Sequence, residues 1–271
     1  MKSLRIKQPL VSVVMPTYNH AQFIGDAIGS VLDQTYTNIE LIIIDNYSED
    51  NTEEIIVSFS DTRIKYEKFR NNGIIAASRN VGISQSCGKY IAFLDSDDMW
   101  KPTKIEKQIK LLEDNDNIFL VYTRYIIVKD GLVLKTLPKR KKLRSGNVFI
   151  PLFLSNNFIG TSTVLLRNFV NEDYHFDIDI KFRAIEDYDL WLRIAKNKRI
   201  DYVDEPLVAY REHGGNTSIG IKPYFLRYLH VVKKNRHDVG KILLIEKYLL
   251  IIATIFLLVI KKFSSLPCKS D

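Results

Sequence analysis

The chain has 271 residues, 46% of them hydrophobic, and a formal net charge of +7. That length can bury a sizeable core as one large α/β domain or two small ones, and no linker-like tract interrupts it. Two cysteines, Cys87 and Cys268, stand far apart, which excludes a disulfide framework or a cysteine-rich zinc site and fits a reducing, cytosolic compartment.

The amino-terminal MKSLRIKQPL carries charge but neither the apolar core nor the small-residue cleavage site of a signal peptide, so secretion is not expected. Short β-branched runs then alternate with segments of helical period, the pattern of a mostly parallel sheet covered on both faces. Leu10 to Met15, Glu40 to Ile44, Arg63 to Glu67 and Tyr90 to Leu94 are predicted strands. Phe23, Ile24, Ala27, Ile28, Val31 and Leu32 recur at helical spacing, and Ile74 to Ser86 suits a second crossover helix. Pro102 fits the first turn of a helix running to about Glu113.

Polar clusters follow three of these strands: PTYNH, DNYSEDN and DSDD. The carboxyl ends of parallel strands are where such sheets bind ligands. In YIAFLDSDDMW the carboxylates of Asp95, Asp97 and Asp98 crowd one turn. Repulsion and desolvation make that costly unless a cation compensates it, and hard divalent ions such as Mg²⁺ or Mn²⁺ take oxygen ligands. The alternative is a solvated acidic turn that caps the next helix. No G-x-G-x-x-G or P-loop follows any strand, which weakens a dinucleotide-binding reading.

The positive charge suits an anionic partner. Basic residues gather in LPKRKKLR at 137–144 and between Lys222 and Lys262. They lack interleaved, exposed aromatics and any recognisable binding motif, so no nucleic acid is expected. Tyr248 to Ile260 is free of charge. Extended back to Ile242 it would reach ~28 Å as a helix, with Glu246 and Lys247 inside it. An interfacial or re-entrant helix flanked by lysines fits better than a span. Packing on the domain, or on its copy in a homodimer, is the alternative.

Five segments in order carry a resemblance: VSVVMPTYNH (11–20), ELIIIDNYSEDNT (40–52), AASRNVGI (76–83), YIAFLDSDDMWKPTKIEKQ (90–108) and AIEDYDLWLRI (184–194). Over roughly residues 10–215 the chain resembles the family 2 glycosyltransferases, inverting enzymes of the GT-A fold, and in particular their bacterial surface-polysaccharide group (O-antigen or teichuronic acid type). The resemblance implies an α/β, Rossmann-like, mostly parallel sheet with helices on both faces over 1–220. A nucleotide-binding half would cover about 8–115 and an acceptor half about 116–220, with a helical, membrane-associating segment over 221–271.

The same resemblance implies roles for individual residues. Pro16, Thr17 and Tyr18 would seat the nucleotide base, the ring of Tyr18 stacking on a pyrimidine. Asp45 and Asn46 would hydrogen-bond it; relatives often carry a second aspartate where this chain has Asn46, which still offers a donor and an acceptor. Arg79, with Asn80, would approach the donor ribose and diphosphate. Asp95 and Asp97 would contact the donor, and Asp97, Asp98 and His213 would hold Mn²⁺ or Mg²⁺ across the two phosphates, with Asp95 also able to orient its neighbours. Arg211 would meet phosphate from a closing loop, YREHGGNTS (210–218). Asp187 would be the base that deprotonates the acceptor, oriented by Glu186; plain helix-dipole complementarity is the other reading of that pair. Trp191 is expected in the core.

The implied reaction is inverting, metal-dependent transfer of a hexose from a nucleotide-sugar donor, UDP-glucose or UDP-galactose, to a polyprenyl-diphosphate-linked glycan. The implied place is the cytoplasmic face of the cell membrane, peripherally attached. A sugar-nucleotide-binding protein without catalysis would have no need of Glu186 and Asp187. A nucleotidyltransferase usually needs a glycine-rich basic loop, which PTYNHAQF lacks.

Overall fold

The computed structural model describes residues 8–264 apart from 140, 156, 171, 173 and 216–220, without the side chains of 221–226 and 255–264. Cys268 and positions 216–218 of the expected closing loop lie outside the described residues, as do the side chains of Lys222, Lys261 and Lys262.

The first half alternates as the periodicity predicts: β1 (Val11–Thr17), α1 (Ala21–Leu32), β2 (Ile39–Asp45), α2 (Thr52–Ser58), β3 (Ile64–Lys68), α3 (Ile75–Ser84) and β4 (Tyr90–Phe93). Helix α2 is the unforeseen element. Its seven residues are too few to show a helical period, and they follow a run that reads as a polar loop. Pro102 stands before α4 rather than in its first turn, with Thr103 at the N-cap.

The second half runs β5 (Met99–Trp100), α4 (Lys104–Asp114), β6 (Ile118–Lys129), β7 (Leu132–Leu137), α5 (Phe149–Ser155), β8 (Leu165–Arg167), α6 (Glu186–Asn197), β9 (Arg199–Arg211), α7 (Ile221–Lys234) and α8 (Lys241–Ser264). All nine strands form one sheet in the order β3-β2-β1-β4-β8-β6-β9-β5, with β7 paired outside β6. β1 to β4 are mutually parallel, β8 is antiparallel to both β4 and β6, and β9 runs parallel to β6.

Alternation along each strand divides the core in two. Val13, Met15, Leu41, Ile43, Ala92 and Val121 pack under α1, α2 and α4, while Val14, Ile91, Phe93, Leu120 and Tyr122 pack under α3, α5 and α6. Helix α3 sits so close to β1 that a Cβ at Gly82 would overlap Val14. Thr17 pairs with Asp45 and Asp45 with Lys68, so the three strands end level and their loops share one rim. The turn between β4 and β5 completes that rim, because β5 returns to pair with β9 through Trp100 and Val208.

Helix α8 lies against α5 with Leu244, Tyr248 and Ile251 on the core. The Nζ of Lys247 donates to the Leu154 carbonyl at 3.5 Å, and burial brings its pKa down to about 8. Ile242, Ile245, Leu249 and Ile252 on α8 are exposed. Among the described residues no helix is long and apolar enough to cross a membrane.

Candidate active site

The rim begins with the loop after β1. Tyr18 is 47% exposed, whereas Thr17 is buried with no protein partner for its hydroxyl among the described residues. Asp45 is buried beside it and already engaged through both oxygens: one accepts from Ser48 N and Oγ (2.9 and 2.6 Å), the other from Tyr66 OH (2.8 Å). That leaves Asp45 to shape the loop, while Asn46, whose Oδ1 accepts from Asn71 N at 2.8 Å, has its amide nitrogen to offer.

The acidic turn fans its carboxylates in three directions. Asp95 accepts from Arg79 Nη2 at 2.7 Å, and Asp97 meets His213 Nε2 at 3.0 Å. Asp98 is buried, taking Ser162 Oγ at 2.6 Å and the Arg211 amide at 3.2 Å. Burial first, then the charges of Asp97 and Asp95, push its pKa well up. Asp98 thus sits buried at the edge of the cleft, with Ser162 and the β9 backbone already engaging its two oxygens.

The place of Asp98 beside Asp97 and His213 is taken by a residue to which sequence reasoning assigned no role. Ligand atoms of His20, Asp97 and His213 lie within 4.8 Å of one another. Ser96 Oγ holds His20 Nδ1 at 2.7 Å, the kind of outer contact that orients a ligating imidazole. Two imidazoles and one carboxylate fit a divalent transition ion such as Mn²⁺ better than Mg²⁺, which prefers oxygen. His20 is visible in PTYNH, but only the tertiary fold brings it against a turn 76 residues away. Arg211, expected on phosphate, pairs through Nη2 with Asp26 on α1 at 2.7 Å.

Arg79, expected beside the donor ribose and diphosphate, lines the cleft and is already held by protein carboxylates. It is buried and forked, Nη1 to Glu186 Oε1 at 2.6 Å and Nη2 to Asp95 Oδ1 at 2.7 Å, above the Phe176 ring. Burial disfavours its charge, but the carboxylates of Asp95 and Glu186 more than offset this and keep it ionised. Asn80 exchanges two hydrogen bonds with the Phe176 backbone, each of 2.9 Å. The Arg-Asn pair therefore ties α3 to the opposite side of the cleft.

That tie sets the acidic pair at the start of α6. Glu186 and Asp187 follow Ala184, whose φ of 66° is costly for a residue with a side chain. Asp187 Oδ2 accepts from Asn157 Nδ2 (2.9 Å) and Thr161 Oγ1 (3.1 Å), and Oδ1 from the Tyr188 amide (2.7 Å). Burial first, then the Glu186 charge, raise its pKa to about 7. Leu190, Trp191 and Ile194 anchor the helix in the core, as their spacing predicts.

Asp95, Asp187 and Glu186 line one cleft of about 630 Å³, walled by Tyr125, Phe158, Thr161, Tyr210 and Glu212. Burial, with the Asp98 and Asp187 charges, lifts Tyr125 to about 12. The floor is a short 3₁₀ turn, Thr161–Thr163. Its hydroxyls serve Asp187 and Asp98, and the carbonyls of 162, 163 and 164 accept from Trp100 Nε1, Gln108 Nε2 and Lys104 Nζ at 2.8, 2.9 and 3.3 Å. Asn157, Thr161 and Ser162 escape the sequence reading because a polar turn between apolar runs shows no period.

The glycosyl transferase family 2 profile matches residues 12–173. An uncharacterized glycosyltransferase of Rickettsia conorii is 37% identical over 230 residues, 84% of this chain but 37% of the relative, so the chain spans well under half of that protein. The Escherichia coli UDP-Glc:alpha-D-GlcNAc-diphosphoundecaprenol beta-1,3-glucosyltransferase WfgD is 36% identical over 195 residues, 72% of this chain and 73% of its own length. WfaP of E. coli, of the same description, is 35% identical over 228 residues, 83% and 86% of the two chains. Among solved structures, TarS of S. aureus in complex with UDP superposes with a TM-score of 0.66 at 18% identity, over 83% of this chain and 64% of that one. The mannosyltransferase PcManGT of Pyrobaculum calidifontis, in complex with GDP-Man and Mn²⁺, gives 0.61 at 18%, over 89% and 70%. These likenesses identify the curled sheet as the GT-A fold. Profile, ordered motifs and fold agree: the chain belongs to glycosyl transferase family 2.

Proposed function

We propose that the protein transfers a hexose, with inversion, from a UDP-sugar to a glycan linked through diphosphate to a polyprenyl carrier. The observation that carries this reading is Asp187: a half-buried carboxylate at the cleft wall whose pKa of about 7 suits proton abstraction near neutrality. The acceptor hydroxyl oxygen attacks the anomeric carbon from the face opposite the diphosphate. Its proton passes to Asp187 as the bond from that carbon to the phosphate oxygen breaks and the nucleoside diphosphate departs. Thr161 and Asn157 keep the carboxylate aimed, and Arg79 holds the Glu186 side chain in place beside it.

Tyr18 is offered for stacking on the base and Asn46 for hydrogen bonding at its edge. His20, Asp97 and His213 would hold a divalent ion, Mn²⁺ by the nitrogen content of the set, and its charge when bound offsets that of the departing diphosphate. Support for the donor and acceptor classes comes from WfgD and WfaP, whose names specify UDP-Glc and a GlcNAc-diphosphoundecaprenol. The site of action would be the cytoplasmic membrane face, reached peripherally.

The test is transfer from a panel of UDP-, dTDP- and GDP-sugars to a synthetic GlcNAc-diphospholipid with Mn²⁺ present. Transfer from one UDP-hexose, lost with EDTA and in Asp187→Asn, is expected. Transfer that persists in Asp187→Asn, or none from any UDP-sugar, would overturn the assignment.

A further inference from the structure

The hairpin of β6 and β7 ends in an apolar tip that none of the described residues covers. Leu132, Val133 and Leu134 are 69%, 60% and 51% exposed, three in succession. In a regular strand over a core, alternate residues would be buried. Here the register skips Leu134, since Ile127 pairs with Lys135 and Val128 with Val133. The bulge leaves Leu134 outside the ladder, and β7 is solvent-facing along nearly its whole length. The turn itself is Asp130-Gly131, with φ of 48° and 78°, the two-residue left-handed turn that makes a tight hairpin. A long, apolar, uncovered edge is a liability that proteins normally blunt.

The charges around the tip name its occupant. Lys129 and Lys135 are exposed beside the tip, with Asp130 at the turn, and Lys139, Lys141 and Lys142 are exposed just past the far end of β7. Of these lysines only Lys129 has an ion pair among the described residues, with Glu212 at 3.5 Å. An exposed apolar edge that continues along the hairpin into a run of lysines is complementary to an anionic lipid surface, where acyl chains take the leucines and headgroups the lysines. We infer that this hairpin is the element that docks the enzyme on an anionic bilayer.

The strand that carries the tip also builds the cleft. Tyr125 and Ile127 of β6 line it, and Glu212, the partner of Lys129, lines it too. Lys129 is four positions beyond Tyr125 on the same strand, roughly 13 Å at strand spacing. With the tip at headgroup level, a sugar joined to a lipid through diphosphate reaches the cleft without leaving the bilayer. This last step rests on the proposed function; the docking itself does not.

The experiment is co-sedimentation of the full chain with vesicles of equimolar phosphatidylcholine and phosphatidylglycerol, and with phosphatidylcholine alone. The chain is expected on the anionic vesicles, released by salt, with the bound-to-free ratio falling about tenfold in L132S/L134S and in K139E/K141E/K142E. The α8 variant I245S/L249S, from the other exposed apolar face, is expected to keep most of the binding. Unchanged binding in L132S/L134S, or loss only in I245S/L249S, overturns the inference. So does a wild-type dimer that L132S/L134S dissociates while vesicle binding is unaffected, which would make β7 an edge for a second copy. L132S/L134S should keep wild-type transfer to a short-chain, water-soluble acceptor diphosphate, which also proves it folded. If vesicle binding behaves as expected but the wild type transfers to no diphosphate-linked acceptor, the function fails and the docking surface stands.

Discussion

Asp187 is poised by opposing neighbours, and each can be removed singly. Glu186 raises its pKa through charge, whereas the Thr161 hydroxyl lowers it by bonding the ionised form. As the proposed base, Asp187 works when deprotonated, so kcat is expected to rise with pH through about 7. Glu186→Gln should move that limb to lower pH and Thr161→Val to higher pH, and shifts in the same direction would remove Asp187 from the base role. Asp187→Asn should cut kcat by roughly 10²–10⁴-fold.

The same residue has a cost in stability whose sign is fixed. A carboxyl raised in the folded state binds more protons there than when unfolded, so its contribution is full below the unfolded pKa and is lost as pH rises through about 7. Asp187→Asn is therefore expected to be more resistant to urea than wild type at pH 8, by on the order of 1–4 kcal/mol, with the gap closing near pH 4. A variant less stable than wild type at pH 8 would contradict the burial of an ionised Asp187. At the cation end, His20→Ala should weaken Mn²⁺ binding, read by calorimetry without any sugar present. The loss should be no smaller than the roughly 10–100-fold that removing an outer-shell partner costs; unchanged affinity would take His20 out of the ligand set.

At the scale of elements, the 3₁₀ turn Thr161–Thr163 is the joint between the two chemistries, because Thr161 serves Asp187 and Ser162 serves Asp98. It has little regular structure of its own and is fixed from outside by Trp100, Lys104 and Gln108. Gln108 Nε2 bonds the carbonyls of both Val121 and Thr163, at 2.7 and 2.9 Å in a buried setting. Gln108→Leu leaves those acceptors unpaired and should cost about 1–3 kcal/mol in urea unfolding; a loss within a few tenths would mean that the turn holds itself.

The elements also show what a single sequence can reveal. β1, β2, β4, α1 and α3 were legible because burial on one or both faces leaves a period or a continuous apolar run. Helix α2 was too short to do so. Asp95, Asp97 and Asp187 stand in the ordered motifs and His213 in the loop after them, yet the partners Arg79 would take were not legible, since Glu186 lies 107 residues away across the cleft. A guanidinium looks the same in sequence whether it meets phosphate or two carboxylates.

For the whole molecule, one sheet carries the Tyr18 loop, the Asp95–Asp98 turn proposed to hold a cation, and the cleft on a single rim, and Arg79 locks α3 to α6 across it. Opposite-face attack is what this layout is read to serve. The most direct measurement is the anomeric configuration of the first product, by NMR coupling across the new glycosidic bond, with an α-linked UDP-hexose as donor. A β linkage is expected from single displacement with Asp187 as base. An α linkage would contradict inversion and leave Asp187 without its role.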